Sequence, residues 1–289
     1  MNKEDIVNKF YPQREGGACK YDHGMVVVIG GSKFYTGSPA LSALAALRAG
    51  ADITQILAPE RAADVGASFS PDLITFPLSG DHLTMEHLPD LLTFTRSAKD
   101  VSHGRVSVVL GGGLGRDQET KEVVREYIKE TDVPLILDAD AIYAFEEEKH
   151  LVRGCVSEKE VLFTPHLYEF YVLTGKDVRT LKEEERGEVV REMAKDLGAG
   201  ILLKGATDII SDGEDIRENH MEVPHLTSGG TGDVLAGIAG TLVSREFSIL
   251  DSGWGAASMN TIAGEMAANE KGDSLVATDL IDKIMEIIK

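Results

Sequence analysis

Short β-branched runs recur along the chain. Each is closed by glycine or polar residues and most are followed by apolar residues at helical spacing. The runs are "MVVVIGG" (25–31), "ADITQILAP" (51–59), "DLITFPL" (72–78), "RVSVVLGGG" (105–113), "VPLILDAD" (133–140) and "KEVLFTPH" (159–166). A seventh, "GILLKGATDIISDG" (200–213), reads as two strands around a turn. Helical patterns follow at "SPALSALAALRAG", from near Glu60, and at "DQETKEVVREYIKE", "AIYAFEEE" and "LYEFYVLTG". The strands are nearly all apolar, as in strands covered on both faces. Repeated alternation of strand and helix predicts an α/β fold, a mostly parallel sheet between two layers of helices. The polar stretch 212–225 breaks the rhythm and predicts one or two antiparallel edge strands. Helices alone follow, at about 232–245, 249–269 and 276–288. One domain is expected over 1–289, with a short helical extension over about 1–22.

In open α/β sheets, ligands bind beyond the carboxyl ends of the strands. The polar and glycine motifs fall there: Gly30-Gly31-Ser32, Gly111 to Gly115, Asp138 to Asp140, Thr164-Pro165-His166 and Lys204-Gly205. The densest is "SGGTGDVLAGI", residues 228–238, a glycine loop that runs into a helix. Glycines let backbone N–H groups approach a ligand, and a helix N-terminus favours negative charge. Asp233 in that place is either a helix cap or a proton acceptor for a substrate hydroxyl beside the anion site. Asp140 is either the cap of its own helix or a site carboxylate. Asp138 at its strand end suits a Mg²⁺ held through water. His166 is a capping residue or a ligand contact, and Glu169 a site carboxylate or a helix-start acid. Lys204 either meets a phosphate as a point charge or turns outward to solvent. Trp254 reads as core or interface, and the acidic cluster 182–188 as the solvated face of a helix. The small-residue helix 253–268 is either a close-packed surface or core. Neither a dinucleotide fingerprint nor a P-loop is present.

The formal net charge is -19, which argues against nucleic acid or an anionic membrane as partner but leaves room for a phosphate in a local glycine site. Cys19 and Cys155 form neither a disulfide framework nor a metal-ligand spacing. No protein-only metal site is expected. The first residues do not resemble a secretory signal, and no apolar run approaches the roughly 18 residues of a membrane span. A cytoplasmic protein is expected.

The motifs in this order resemble the ribokinase-like superfamily and, within it, the ADP-dependent NAD(P)H-hydrate dehydratases. The matching segments are "VVVIGGSKFYTGSPALSALAALRAGAD", "VLGGGLGRD", "LDADAI", "FTPHLYEF", "LLKGATDII" and "SGGTGDVLAGI". The resemblance implies a three-layer α/β/α sandwich and dehydration of the hydrated cofactor by phosphoryl transfer from ADP, or ATP in its place, with Mg²⁺. It implies Asp233 as base, with Ser38, Gly113, His166 and Asp233 on the hydrate. It implies Lys204, Gly205, Ala206, Thr207, Asp208, Gly230, Thr231 and Gly232 on the nucleotide. It further implies a homotetramer and a separate epimerase chain as functional partner. The chain departs from the family pattern at Gly112, where proline is usual, at Leu167-Tyr168, where proline–glycine is usual, and at Ser38, where alanine is usual. Its lysine–glycine segment is also one residue shorter. The competing expectations are a small-molecule kinase on the same fold, of hydroxyethylthiazole-kinase or vitamin-precursor-kinase type, and a nucleotide sensor without turnover.

Overall fold

The computed structural model describes residues 1–289 apart from 14, 15, 18, 221 and 222. Those five, which fall in the expected N-terminal extension and in the polar stretch 212–225, lie outside the described residues.

Each apolar run contains a strand. In chain order these are β1 (Met25–Ile29), β2 (Ile53–Pro59), β3 (Ile74–Leu78), β4 (Val106–Leu110), β5 (Leu135–Leu137), β6 (Val161–Phe163), β7 (Gly200–Leu203), β8 (Asp208–Ser211) and β9 (Ile216–Asn219). Among the described residues they form one sheet in the order β3-β2-β1-β4-β5-β6-β7-β8-β9. The first seven run parallel, and β8 and β9 add antiparallel at one edge. The helices are α1 (Lys3–Phe10), α2 (Ser38–Arg48), α3 (Glu60–Phe69), α4 (Leu88–Val101), α5 (Gln118–Glu130), α6 (Asp140–Tyr143), α7 (Val152–Val156), α8 (Leu167–Thr174), α9 (Glu183–Leu197), α10 (Thr231–Ser244), α11 (Ile249–Lys271) and α12 (Ala277–Ile287).

Side chains alternate across a strand, so one strand feeds two cores. Val26 and Val28 of β1 pack with α2, α10, α11 and α12 on one face. Met25, Val27 and Ile29 pack with α4, α5 and α7 on the other. The result is the three-layer sandwich that the pattern predicts. The small-residue helix is core: Gly253, Gly255, Ala256 and Ala257 of α11 are buried. Trp254 is half-buried and its Nε1 donates to Glu218 O of β9 at 3.1 Å.

The chain leaves β1 toward β2 and β3, then returns to lay β4 on the opposite side of β1. Connections diverge there and open a crevice beyond the strand ends. Backbones crowd at this point. A Cβ on Gly111, whose φ is +137°, would lie 1.8 Å from Asp138 O. Below it α10 presses on α2, and a Cβ on Gly237 would lie 2.2 Å from Ser42 O. An alanine in place of glycine adds about 1 kcal/mol of stability in an exposed helix. Here the overpacking reverses the sign: Gly237→Ala is expected to lower unfolding stability by about 2 kcal/mol in a urea titration.

Candidate active site

The glycine loop is capped by Gly230 in the left-handed region (φ 90°), and α10 begins at Thr231. The first backbone bond of the helix runs from Val234 N to Gly230 O, 3.1 Å, so the preceding amides carry the unpaired donors of a helix start. The Thr231 hydroxyl ties the loop to itself through Leu226 O at 2.7 Å. Asp233 is therefore no cap; it is the third residue of the helix and turns its side chain into the crevice. A Cβ on Gly112 would lie 2.5 Å from its Oδ1. Ser42 Oγ donates to its carbonyl at 3.0 Å and fixes this turn of α10 on α2. Burial raises the Asp233 pKa to about 7; the Asp138 charge adds to the rise, and the Ser38 hydroxyl and Lys204 ammonium oppose it.

Lys204 does not turn outward. Its Nζ donates to Asp138 Oδ1 at 2.8 Å and stands 4.0 Å from Glu169 Oε2. Asp138 and Glu169 keep its pKa above the ordinary lysine value although burial works against the charge. Thr164 Oγ1 also donates to Asp138 Oδ1, at 2.7 Å. Asp138 Oδ2 accepts no hydrogen bond among the described residues and would lie 3.8 Å from a Cβ on Gly232. That oxygen, aimed at the helix start, fits a water of a phosphate-bound Mg²⁺. No group of three or more His, Cys, Asp or Glu side chains converges on a metal position among the described residues.

Asp140 does not cap its helix either. Its Oδ2 accepts from Gly115 N at 2.9 Å and its Oδ1 from Arg116 Nε at 3.2 Å, which braces the second glycine loop. His166 does cap α8: its Nδ1 accepts from Tyr168 N and Glu169 N, both at 3.1 Å. Glu169 closes the box by accepting from His166 N at 2.9 Å. With Nδ1 accepting, the neutral ring carries its proton on Nε2. Burial and the Lys204 charge hold the His166 pKa below its ordinary value, so His166 presents a neutral N–H. Burial raises Glu169 above the usual carboxylate range.

A cavity of about 690 Å³, an ordinary size for a small-molecule site, opens beside Lys204. Of the residues expected on the nucleotide, Lys204, Gly205, Ala206, Asp208, Thr231 and Gly232 line it, together with His166. Thr207 and Gly230 do not. The Asp208 oxygens are committed to Gly205 N at 3.1 Å and Asn219 Nδ2 at 3.2 Å, so Asp208 holds the turn. Ser38, Gly113 and Asp233 gather on the other side of the helix start. A Cβ on Gly112 would meet both Asp233 and, at 3.1 Å, Ser38 Cβ. Asn260, Thr261, Leu226 and Leu235 also line the cavity, with Val223, Pro224, Thr227 and Ser228, and were not expected there. Asn260 Oδ1 is buried without a hydrogen-bond partner among the described residues. Its signal in the sequence is only one amide in an otherwise apolar helix face.

The fold is ribokinase-like, as in a protein of that fold from Enterococcus faecalis at a TM-score of 0.82 and 22% identity, covering 100% of this chain and 94% of that one, and on it a small-molecule cavity and a buried carboxylate meet at one helix N-terminus. The sequence matches the family model for NAD(P)H-hydrate dehydratase over residues 26–286, and the chain belongs to that family. It is 36% identical to the ADP-dependent (S)-NAD(P)H-hydrate dehydratase of Cenarchaeum symbiosum, over 100% of this chain and 96% of that protein. It is 41% identical to the bifunctional NAD(P)H-hydrate repair enzyme of Pyrobaculum aerophilum, over 96% of this chain and 52% of that protein. The chain thus spans about half the length of such bifunctional relatives. The ADP/ATP-dependent NAD(P)H-hydrate dehydratase of Bacillus subtilis, co-crystallised with ATP and Mg²⁺, shares the fold at a TM-score of 0.79 and 22% identity, covering 99% of this chain and 96% of that one.

A buried acid whose pKa is raised on folding binds its proton more tightly in the native state. Its ionisation then costs stability, increasingly from the unfolded pKa near 4 up to the folded value of about 7. Asp233→Asn does not titrate. It is expected to stabilise the protein relative to wild type by on the order of 2 kcal/mol above pH 7 and by nothing near pH 4. Thermal unfolding across that range checks the sign.

Proposed function

We propose that the chain dehydrates the S form of hydrated NADH and NADPH, with ADP as phosphoryl donor. One observation carries this reading beyond family membership. Asp233 is a carboxylate with a raised proton affinity, standing between the nucleotide-sized cavity and the Gly112–Gly113 face. That is where a hydroxyl must lose its proton while a phosphoryl group arrives.

The hydroxyl sits on a carbon beside the ring nitrogen and is a poor leaving group. Asp233 takes its proton as the oxygen attacks the terminal phosphorus of the nucleotide. The oxygen–phosphorus bond forms, the bond to the departing nucleotide breaks, and ADP leaves as AMP. The free amides at the start of α10 and the Lys204–Asp138 pair receive the transferring charge, since phosphoryl transfer is mostly positioning and electrostatics. Mg²⁺ bound with the nucleotide would neutralise phosphate charge there, and Asp138 Oδ2 would hold one of its waters. The ring nitrogen then expels phosphate, a proton leaves the neighbouring ring carbon, and the double bond returns. His166 donates its Nε2–H to the hydrate, and Ser38 steadies Asp233.

The same reading takes in a cytoplasmic location and a homotetramer. Its support is two free cysteines, no described helix long and apolar enough to cross a membrane, and exposed Phe34, Tyr35 and Phe69 as a surface for contact. Light scattering measures the assembly.

The direct test mixes the protein with hydrated NADH, Mg²⁺ and either ADP or ATP and follows the dihydronicotinamide absorbance. A nucleotide-dependent rise is expected. A flat trace with both nucleotides overturns the reading in favour of a small-molecule kinase. Asp233→Asn is expected to lower kcat at least 10²-fold while nucleotide affinity stays within a few-fold. The base must be ionised to act, so activity is expected to rise with pH through about 7 and then level off.

A further inference from the structure

Four carboxylates, Asp138, Asp140, Glu169 and Asp233, surround the crevice of a chain with a net charge of -19. A dinucleotide that enters with its ring at Asp233 carries a diphosphate behind it, and that diphosphate needs a cation. Lys204 is committed to Asp138. Arg116 is placed differently. It follows the Gly113–Gly115 loop directly and does not join the lining of the nucleotide cavity. Its guanidinium lies 3.4 Å over the Tyr143 ring, and its Nε holds Asp140 Oδ1 at 3.2 Å. Asp140 in turn holds Gly115 N. The side chain is nevertheless 54% exposed. Its charge is felt at His166, across the mouth of the crevice. A surface arginine ordinarily loses rotamer freedom when it binds. One already stacked and anchored has lost it beforehand, and its planar fork matches a phosphate.

We propose that Arg116 is the positioning residue for the diphosphate of the hydrated dinucleotide, gripping it at the rim while the ring lies between Gly113 and His166. This rests on the substrate class proposed above. It makes Arg116 a residue of substrate affinity and leaves the phosphoryl transfer to Asp233 and the α10 amides. The exposed end of the guanidinium meets the diphosphate oxygens, and the stack on Tyr143 and the Asp140 bond set its direction.

Without a phosphoryl donor the hydrate is not consumed, so its affinity is measurable by calorimetry on the intact wild-type protein. Arg116→Gln is expected to weaken the Kd for hydrated NADH about tenfold, with Arg116→Lys in between because it keeps charge and loses the fork and stack. Hydrated reduced nicotinamide riboside, which has ring and hydroxyl but no phosphate, is expected to bind wild type and Arg116→Gln alike. In turnover, KM for the hydrate rises with kcat and the KM for ADP within twofold; a merely structural role would move all three. An unchanged Kd for hydrated NADH, or an equal loss with the riboside, overturns the proposal, as does a wild-type protein that binds no hydrate. Arg116-dependent binding without turnover under any nucleotide sinks the dehydratase reading and keeps this one.

Discussion

Backbone crowding at the point where β1, β4 and the start of α10 meet is the constraint on which the site depends. Gly31 N donates to Gly112 O at 2.8 Å, and Gly111 N to Ile29 O at 3.1 Å, so the two glycine loops are laced together. A Cβ on Gly30 would lie 2.6 Å from Gly112 O. Into the narrow space between these strand ends and the helix, the helix sends the side chain of Asp233, beside Ser38. Its proton affinity follows from that confinement. Burial is the largest cause of the shift, and burial is what close approach of three backbones enforces. The amides left unpaired at the crevice wall are those ahead of Val234 at the start of α10. The confined Asp233 and the unpaired α10 amides thus meet at one place.

The charge balance around Lys204 is the second layer. Asp138 accepts from it at 2.8 Å, Glu169 stands at 4.0 Å, and Asp233 feels it as a weak opposing charge. One ammonium cannot neutralise three carboxylates in a buried place, and Glu169 and Asp233 are pushed upward. A phosphate arriving here would face a net negative field if the nucleotide came bare. On the proposed reading the missing positive charge comes from the amides of α10 and from a cation that travels with the nucleotide, which explains why a single free oxygen, Asp138 Oδ2, is enough on the protein side.

Much of this was legible in the sequence because it rests on local pattern. The period-two and period-3.6 runs name the strands, the edge pair and the last three helices. The glycine loops and strand-end polar residues name one rim of the sheet. What was not legible is what depends on direction. Lys204 at a strand end turns in or out according to whether Asp138, 66 positions away, waits for it. Asp208 lines the cavity as expected, yet its oxygens also accept from Gly205 N and Asn219 Nδ2, a bracing of the turn that no local pattern announces. Asp140 and Asp233 both stand where a helix cap would stand, and both miss that role by one to three residues, which no propensity resolves. The helix α4 escapes because its Leu88, Leu91, Leu92, Thr95 and Ala98 stripe is diluted by threonine and charge. Asn260 joins the cavity only because α11 passes under Leu226, a contact set by tertiary packing.

The chain's departures from its family fall where this architecture can absorb them. Leu167 and Tyr168 follow His166, yet the capping box fixes the imidazole by its own backbone neighbours: two amides on Nδ1 and Glu169 on the His166 amide. The side chains at those two positions are free to change while the ring keeps its tautomer, with Nε2 3.4 Å from Glu169 Oε1. Gly112 works likewise, since a residue without a side chain there widens the space for Asp233 and Ser38 and removes nothing that binds. A kinase and a dehydratase on this fold need the same amides and the same carboxylate; the difference lies in the acceptor, whose ring nitrogen can expel the new phosphate. On the proposed reading, selection for the reaction falls on the face that would receive the ring, between Gly113 and His166. That face is built from backbone and from a locked N–H, the parts of a site least disturbed by changes in neighbouring side chains.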